Sequence, residues 1–439
     1  MTNYCPYCFG DKSLVSQLEK ERPKFDDGQR CEFHPTRKAI PGDFVVGILD
    51  RVIRDNFRIA DYNPIFEEGS SLEDLLHDLV APDDHLITMR VIDDLIENDA
   101  YDLRDGGEQF FAADQNYSPY EGHYNPHHSS WQRFKHAIIH ERRFNSDVAK
   151  RYLQDIFAGL HLQKDKGGQR VVYQLDPSQG AIKLYRARRE DSFDGRARIR
   201  KDPGRELGAP PRGLRRANRM NAAGIPAFYG AFELETCIAE NRPPVGCIMV
   251  GGAFEVTRPI VVLDTTRFAK PVLPLSIFSP VYRERQDQWQ FMQSFMDEIS
   301  AAILPNDETL QYVPTQVVSE FIHADLAVKI RGKDSNIDGI IYRSAQYPTG
   351  KNIVLFGAAA LTEPSLKSRS KAREDVSEFF DDWDLGPTQR STPALRIISS
   401  EVTQVQVRGV EFDTTEVFED DEAPTELDFF ELQVFDIAH

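Results

Sequence analysis

The chain has 439 residues, is 41% hydrophobic, and sets 70 acidic against 52 basic side chains for a formal net charge of −18. That length suggests two to four units with sizeable cores, and that charge repels phosphate backbones, which argues against general nucleic-acid binding. There is no apolar run of membrane-spanning length and no basic-then-apolar leader, and five cysteines are too few for a disulfide framework; a cytoplasmic protein with no membrane contact is expected.

In chain order, residues 1–40 are short and polar and hold Cys5, Cys8, Cys31 and His34 in a C-x2-C-x22-C-x2-H pattern. Two knuckles with two ligands each suit a tetrahedral structural zinc, and a segment with so little apolar content needs such a staple. The plainer alternative is two unrelated pairs of reduced side chains. Residues 41–165 read as helical, with no convincing strand. "GDFVVGILDRVIRDNF" has helical apolar spacing, with Asp43 as its N-cap. "SSLEDLLHDLV" opens like a capping box on Ser70 or Ser71. "SSWQRFKHAIIHERRF" and "DVAKRYLQDIFAGLHL" add two helices. His123, His127 and His128 cluster beside an Asn-Pro pair read as a surface loop; without a carboxylate or thiol partner they make a weak second metal candidate.

Near residue 166 the pattern changes to strand-like runs: "KGGQRVVYQL", "AIKLYRAR", "PAFYGA", "VGCIMVGGAFEV", "PIVVLDT", "GIIYRSA" and "NIVLFG". Between them, "ELETCIAEN", "DQWQFMQSFMDEISAAIL" and "TQVVSEFIHADLAVKI" read as helices. Residues 170–362 are therefore a mixed α/β domain. Cys237 and Cys247 lie in apolar surroundings and read as inert core thiols. "RARIRKDPGR" and "PPRGLRRANR" form a locally basic loop, either solvated or a lid for an anionic ligand. Residues 363–439 start polar, offer one strand in "VTQVQVRGVEF", and end acidic, as a tail or a docking segment.

Three blocks in 170–362 resemble the RES domain family: "LYRAR" with Arg186; "RMNAAGIPAFYGAFELETCIAE" with Arg219, Tyr229 and Glu240; and "VPTQVVSEFI", followed by "DGIIYRSA" with Ser344 and then "GKNIVLF". The resemblance implies an ADP-ribosyltransferase-like fold. It also implies an NAD-consuming enzyme, which splits the nicotinamide–ribose bond by hydrolysis or phosphorolysis and acts as a toxin. NAD is then the substrate, and either a separate antitoxin or a cis-inhibitory segment keeps the activity silent; a homo-oligomer stays open. The helical half before it is similar, more loosely, to HEPN regions: Arg133 and His140 have the spacing of that family's nuclease pair, although Phe134 stands where a polar residue is usual.

Such a site needs a carboxylate beside the ribose and cations for the diphosphate. The resemblance gives Glu240 the first role and Arg186, with its bidentate guanidinium, the second. Arg219 is expected to add a phosphate contact or shape the pocket, and Asn221 to cap the turn. Gly224 is expected to let backbone approach the ligand. Tyr229 would either stack on nicotinamide or bond a ribose hydroxyl. Ser344 would hydrogen-bond the ribose or the amide. Thr315 and Gln316 would begin a helix at the site. By periodicity alone, Glu240 falls off the packed face of its helix. Rival readings are ADP-ribosyl transfer to a macromolecule, an inactive NAD-binding scaffold, and a ribonuclease in the helical half.

Overall fold

A computed structural model describes residues 2–25, 28–60, 69–99, 109–119, 125–144, 146–211, 214–270, 275–300, 308–363 and 392–410. The acidic end and Arg212 lie outside them, as does His123.

The N-terminal unit contains α1 (Lys12–Glu21), α2 (Gly42–Asn56), β1 (Phe57–Ile59), β2 (Ser70–Ser71), α3 (Leu72–Val80), α4 (His85–Asn98) and β3 (Asn116–Pro119). Asp11 caps α1 by accepting the Ser13 and Leu14 amides, and Ser71 caps α3 by accepting that of Asp74. Asp43 is not the cap expected of it: α2 begins at Gly42 after Pro41, and Asp43 sits in its first turn. The expected all-helical stretch is also interrupted. β1, β3 and β2 form a three-stranded antiparallel sheet, of two to four residues per strand, too short for a period-2 signal. Tyr4, Cys5, Cys8, Leu14, Val46, Leu76, Val91 and Tyr117 share one core, so the cysteine segment and the helices after it pack together.

Two further helices follow, α5 (Pro126–His136) and α6 (Asp147–Phe157). The Asn-Pro pair read as a loop is a helix start. The Asn125 side chain accepts the His127 amide, and Pro126 takes the first helical position, where no N–H is needed. Trp131, Phe134, Ile138, Leu153 and Phe157 pack with residues of the larger sheet and its long helices rather than with the N-terminal unit.

The remaining elements are β4 (Val172–Leu175), β5 (Lys183–Arg189), α7 (Phe193–Lys201), α8 (Pro203–Leu207), β6 (Ala227–Ala231), α9 (Leu234–Glu240), β7 (Ile248–Val256), β8 (Ile260–Asp264), α10 (Tyr282–Ser300), α11 (Glu308–Ala324), β9 (Val328–Ile330), β10 (Lys333–Ser335), β11 (Gly339–Arg343), β12 (Lys351–Phe356), β13 (Leu395–Ile397) and β14 (Thr403–Gln406). A nine-stranded sheet runs β13-β7-β5-β6-β12-β11-β8-β4, with β14 also paired to β7. β8 and β11 pair parallel; the other pairs are antiparallel.

Both faces of this sheet are covered, which explains its continuous apolar runs. On β12, Val354 and Phe356 join the core with α5, α6, α10 and α11, while Ile353 and Leu355 join a second core with Ile199 and Leu207. Three expectations change here. The first part of the basic loop is helical, as α7 and α8. The helix expected through "DLAVKI" stops at Ala324. Val328–Ile330 is a strand, turned onto β10 by Arg331 and Gly332, whose φ values of 51° and 82° suit a two-residue hairpin. Thr315 and Gln316 lie inside α11 rather than at its start.

Candidate functional site

One cleft of about 400 Å³ opens at the edge of the α10/α11 face of the sheet, and its lining includes Arg186, Arg219, Tyr229, Cys237, Glu240, Arg242, Tyr312, Tyr342, Arg343 and Asn352. Three blocks far apart in sequence meet there because β5, β6 and β12 are successive neighbours in the sheet. Register places Tyr229 opposite Val354, and Asn352 opposite Tyr342.

Glu240 ends α9 and is exposed, as its periodicity suggested. One carboxylate oxygen, Oε1, accepts from Ser344 Oγ at 2.5 Å and from Asn352 Nδ2 at 2.8 Å. Both donors are buried. Oε2 takes no donor among the described residues. Ser344 Oγ in turn accepts the amides of Gln346 and Tyr347, so one hydroxyl shapes its own loop and orients the carboxylate.

Arg186 extends from β5, and its Nη1 donates to the Gly208 carbonyl at 2.9 Å. Burial pushes its guanidinium pKa down, and no carboxylate pairs with it among the described residues. Its cation stands 5.4 Å from the Phe228 ring centre. Arg219 donates to the Ile299 carbonyl at the end of α10 and lies 5.6 Å from the Tyr312 ring centre. Thr315 Oγ1 donates to the Arg219 carbonyl and Gln316 Nε2 to that of Asn218, so these two residues of α11 hold the arginine loop.

Tyr229 donates its hydroxyl to Asn221 Oδ1 at 2.8 Å and accepts the Met220 amide at 3.1 Å. Burial holds its phenol well above the usual range, so it is neutral. That hydroxyl is committed to the loop. Asn221 is the loop's pin, with Nδ2 donating to the carbonyls of Arg216, Ala222 and Ile225. Gly224 lies outside the cleft lining. Its φ of +88°, with open space where a Cβ would stand, suits the turn rather than a close ligand approach. Cys237 lines the cleft but is 6% exposed, and burial pushes its thiol up to about 11, as befits an inert core thiol.

Sequence reasoning missed Asn352, Tyr342 and Arg242. Asn352 did carry a signal: it is a polar residue within the apolar strand "NIVLFG". The lining sets four arginines, 186, 219, 242 and 343, against one glutamate, a cationic cleft in an acidic chain.

Residues 183–374 match the family model described as the RES domain. This stretch of the chain is a RES domain. No curated protein and no solved structure matches the chain. The RES domain match begins at β5 and leaves the helical half outside it. In that half, Arg133 and His140 are both exposed, on α5 and on the π-turn that follows it, while Phe134 between them is fully buried. A RES domain is consistent with NAD-related chemistry.

A second cluster lies far from this cleft in sequence. The ligand atoms of Cys5, Cys8, Cys31 and His34 all fall within 4.8 Å of one another, the one such group among the described residues. Adjacent separations include 3.4 Å from Cys5 Sγ to His34 Nδ1 and 3.5 Å between Cys8 and Cys31 Sγ. Zinc bonds of about 2.0–2.3 Å give tetrahedral edges of roughly 3.5–3.8 Å, so the cluster can hold such an ion. The other ring nitrogen of His34 lies 3.4 Å from Asp83 Oδ2, a carboxylate placed to orient the imidazole. His127 and His128 belong to no such group; their rings pack 6.2 and 5.6 Å from that of Phe291. No helix among the described residues is long and apolar enough to cross a membrane.

Proposed function

We propose that the RES domain cleaves NAD at the nicotinamide–ribose bond. Glu240 carries this reading, because its carboxylate is anchored through one oxygen while the other faces a cleft of guanidinium groups and tyrosine rings. Heterolysis moves the C1′–N bonding pair onto the pyridine nitrogen. Nicotinamide then leaves neutral, and no strong general acid is required. The ribose gains oxocarbenium character, and a preorganised carboxylate beside C1′ lowers the energy of that charge. Arg186, half-buried and without a carboxylate partner among the described residues, suits the dinucleotide's diphosphate. Tyr229 and Tyr342 offer ring faces for the nicotinamide. Water or phosphate closes the reaction by bonding to C1′, yielding ADP-ribose or its phosphorylated form and releasing a proton. NAD depletion of this kind suits a toxin or defence effector restrained by an antitoxin.

The Cys5–Cys8–Cys31–His34 cluster is assigned to structural zinc. A closed set of four protein ligands leaves no open position for chemistry and serves to staple the N-terminal unit.

Purified protein mixed with NAD is expected to release nicotinamide, and Glu240→Gln to slow release by about 10²-fold or more. Equal turnover by the two proteins removes Glu240 from the catalytic role. With labelled NAD, label on a macromolecule instead of in free ADP-ribose identifies transfer rather than hydrolysis or phosphorolysis.

A further inference from the structure

α9 ends on Asn241, whose side-chain Nδ2 donates to the Cys237 carbonyl at 2.8 Å and to the Ala187 carbonyl at 3.3 Å. The next residue closes the helix, with its amide donating to the Ala239 carbonyl at 2.9 Å. It does so at φ +43°, in the left-handed region, where helices ordinarily place glycine because a Cβ is strained there. Here that residue is Arg242. Asn241 already serves the carbonyls of Cys237 and Ile238, and the Arg242 amide that of Ala239, so none of these three relies on the Arg242 side chain. It is exposed, it lines the cleft two residues beyond Glu240, and among the described residues its guanidinium has no hydrogen-bond or ion-pair partner. The other three arginines of the lining bond protein oxygens: Gly208, Ile299 and Asp297. An unfavourable backbone position thus holds a cation in the lining of the cleft.

We propose that Arg242 is a specificity residue that grips a phosphate of the bound dinucleotide at the mouth of the cleft. The proposal rests on the reading of the cleft as a dinucleotide site. The phosphate comes either from the diphosphate bridge or from a ribose 2′-phosphate, and paired substrates separate the two.

Arg242→Gly is predicted to act in opposite directions on stability and binding. It relieves the strained φ, so Tm rises by about 2 °C. It removes the cation, so binding of 2′-phospho-ADP-ribose measured by calorimetry weakens by about 10-fold or more, with or without a like loss for ADP-ribose. Arg242→Lys, which keeps a charge without the fork, falls between. A similar loss with ADP-ribose and with 2′-phospho-ADP-ribose assigns the diphosphate; a loss confined to the latter assigns the 2′-phosphate. Unchanged binding of both ligands by Arg242→Gly overturns the proposal, as does a wild-type protein that binds neither. A fall in Tm for Arg242→Gly also overturns it, since the arginine would then be serving the fold. Binding that depends on Arg242 without any NAD turnover would refute the cleavage reading alone.

Discussion

Glu240 illustrates how little a single side chain's sequence position says about its chemistry. Off the apolar face of α9, it reads as a solvated helix end, and it is indeed exposed. What distinguishes it is the pair of buried donors, Ser344 and Asn352, that reach one of its oxygens from the end of β11 and from β12. Hydrogen bonds to a charged group contribute about 1.5–3 kcal/mol, so Asn352→Ala is expected to lower kcat for nicotinamide release by roughly 10- to 100-fold. The effect should vanish in a Glu240→Gln background, because Asn352 acts through the carboxylate; equal losses in both backgrounds would point to a merely structural role. Tyr229 differs in kind. Its hydroxyl looked available for a ribose, yet it is bound by Asn221 and Met220, and the ring face is what remains.

At the scale of elements, the site depends on α9 lying against the loop between β11 and β12. Gly350 makes that approach possible: a Cβ there would stand 2.4 Å from Thr236 Oγ1 and 2.6 Å from its Cγ2. Thr236 is fully buried, so it has little room to give. Gly350→Ala is expected to destabilise by about 1–3 kcal/mol in thermal melts and to lower turnover as α9 shifts. Gly350 also accepts the Ser344 amide through its carbonyl, so the same substitution disturbs the serine that orients Glu240. The long strands were legible because both faces are apolar. β1, β2 and β9 were not, since two or three residues cannot express a period. The β9–β10 turn lies in "IRGK", where only Gly332 hints at positive φ.

Across the whole molecule, the N-terminal unit and the sheet are joined through the segment leading into α10. Ser276 Oγ donates to Asp11 Oδ1, Phe278 is buried in the N-terminal core, and Arg283 donates to the Asp55 carbonyl. α10 then runs to Ile299, whose carbonyl holds Arg219 at the cleft. Chelation is therefore expected to loosen the N-terminal unit, with new protease cuts within residues 2–119 and a lowered Tm. Added zinc should restore the resistant form, and Cys31→Ser should mimic chelation. Survival of the resistant form after complete metal removal would end the structural-zinc assignment.

The order of helices and strands, the cysteine–histidine spacing and the three motif blocks could be read from residue type and period, because each is a local property of the chain. The convergence of those blocks on one cleft is not local. It follows from β5, β6 and β12 becoming neighbours in the sheet although residues 183–189 and 351–356 are remote in the chain. Likewise, no periodicity could assign α5 and α6 to the sheet's core rather than to the unit before it, since an apolar stripe specifies that it will be buried but not against what. Tertiary packing decided both, and with them which oxygen of Glu240, a residue of the cleft lining, is held by Ser344 and Asn352.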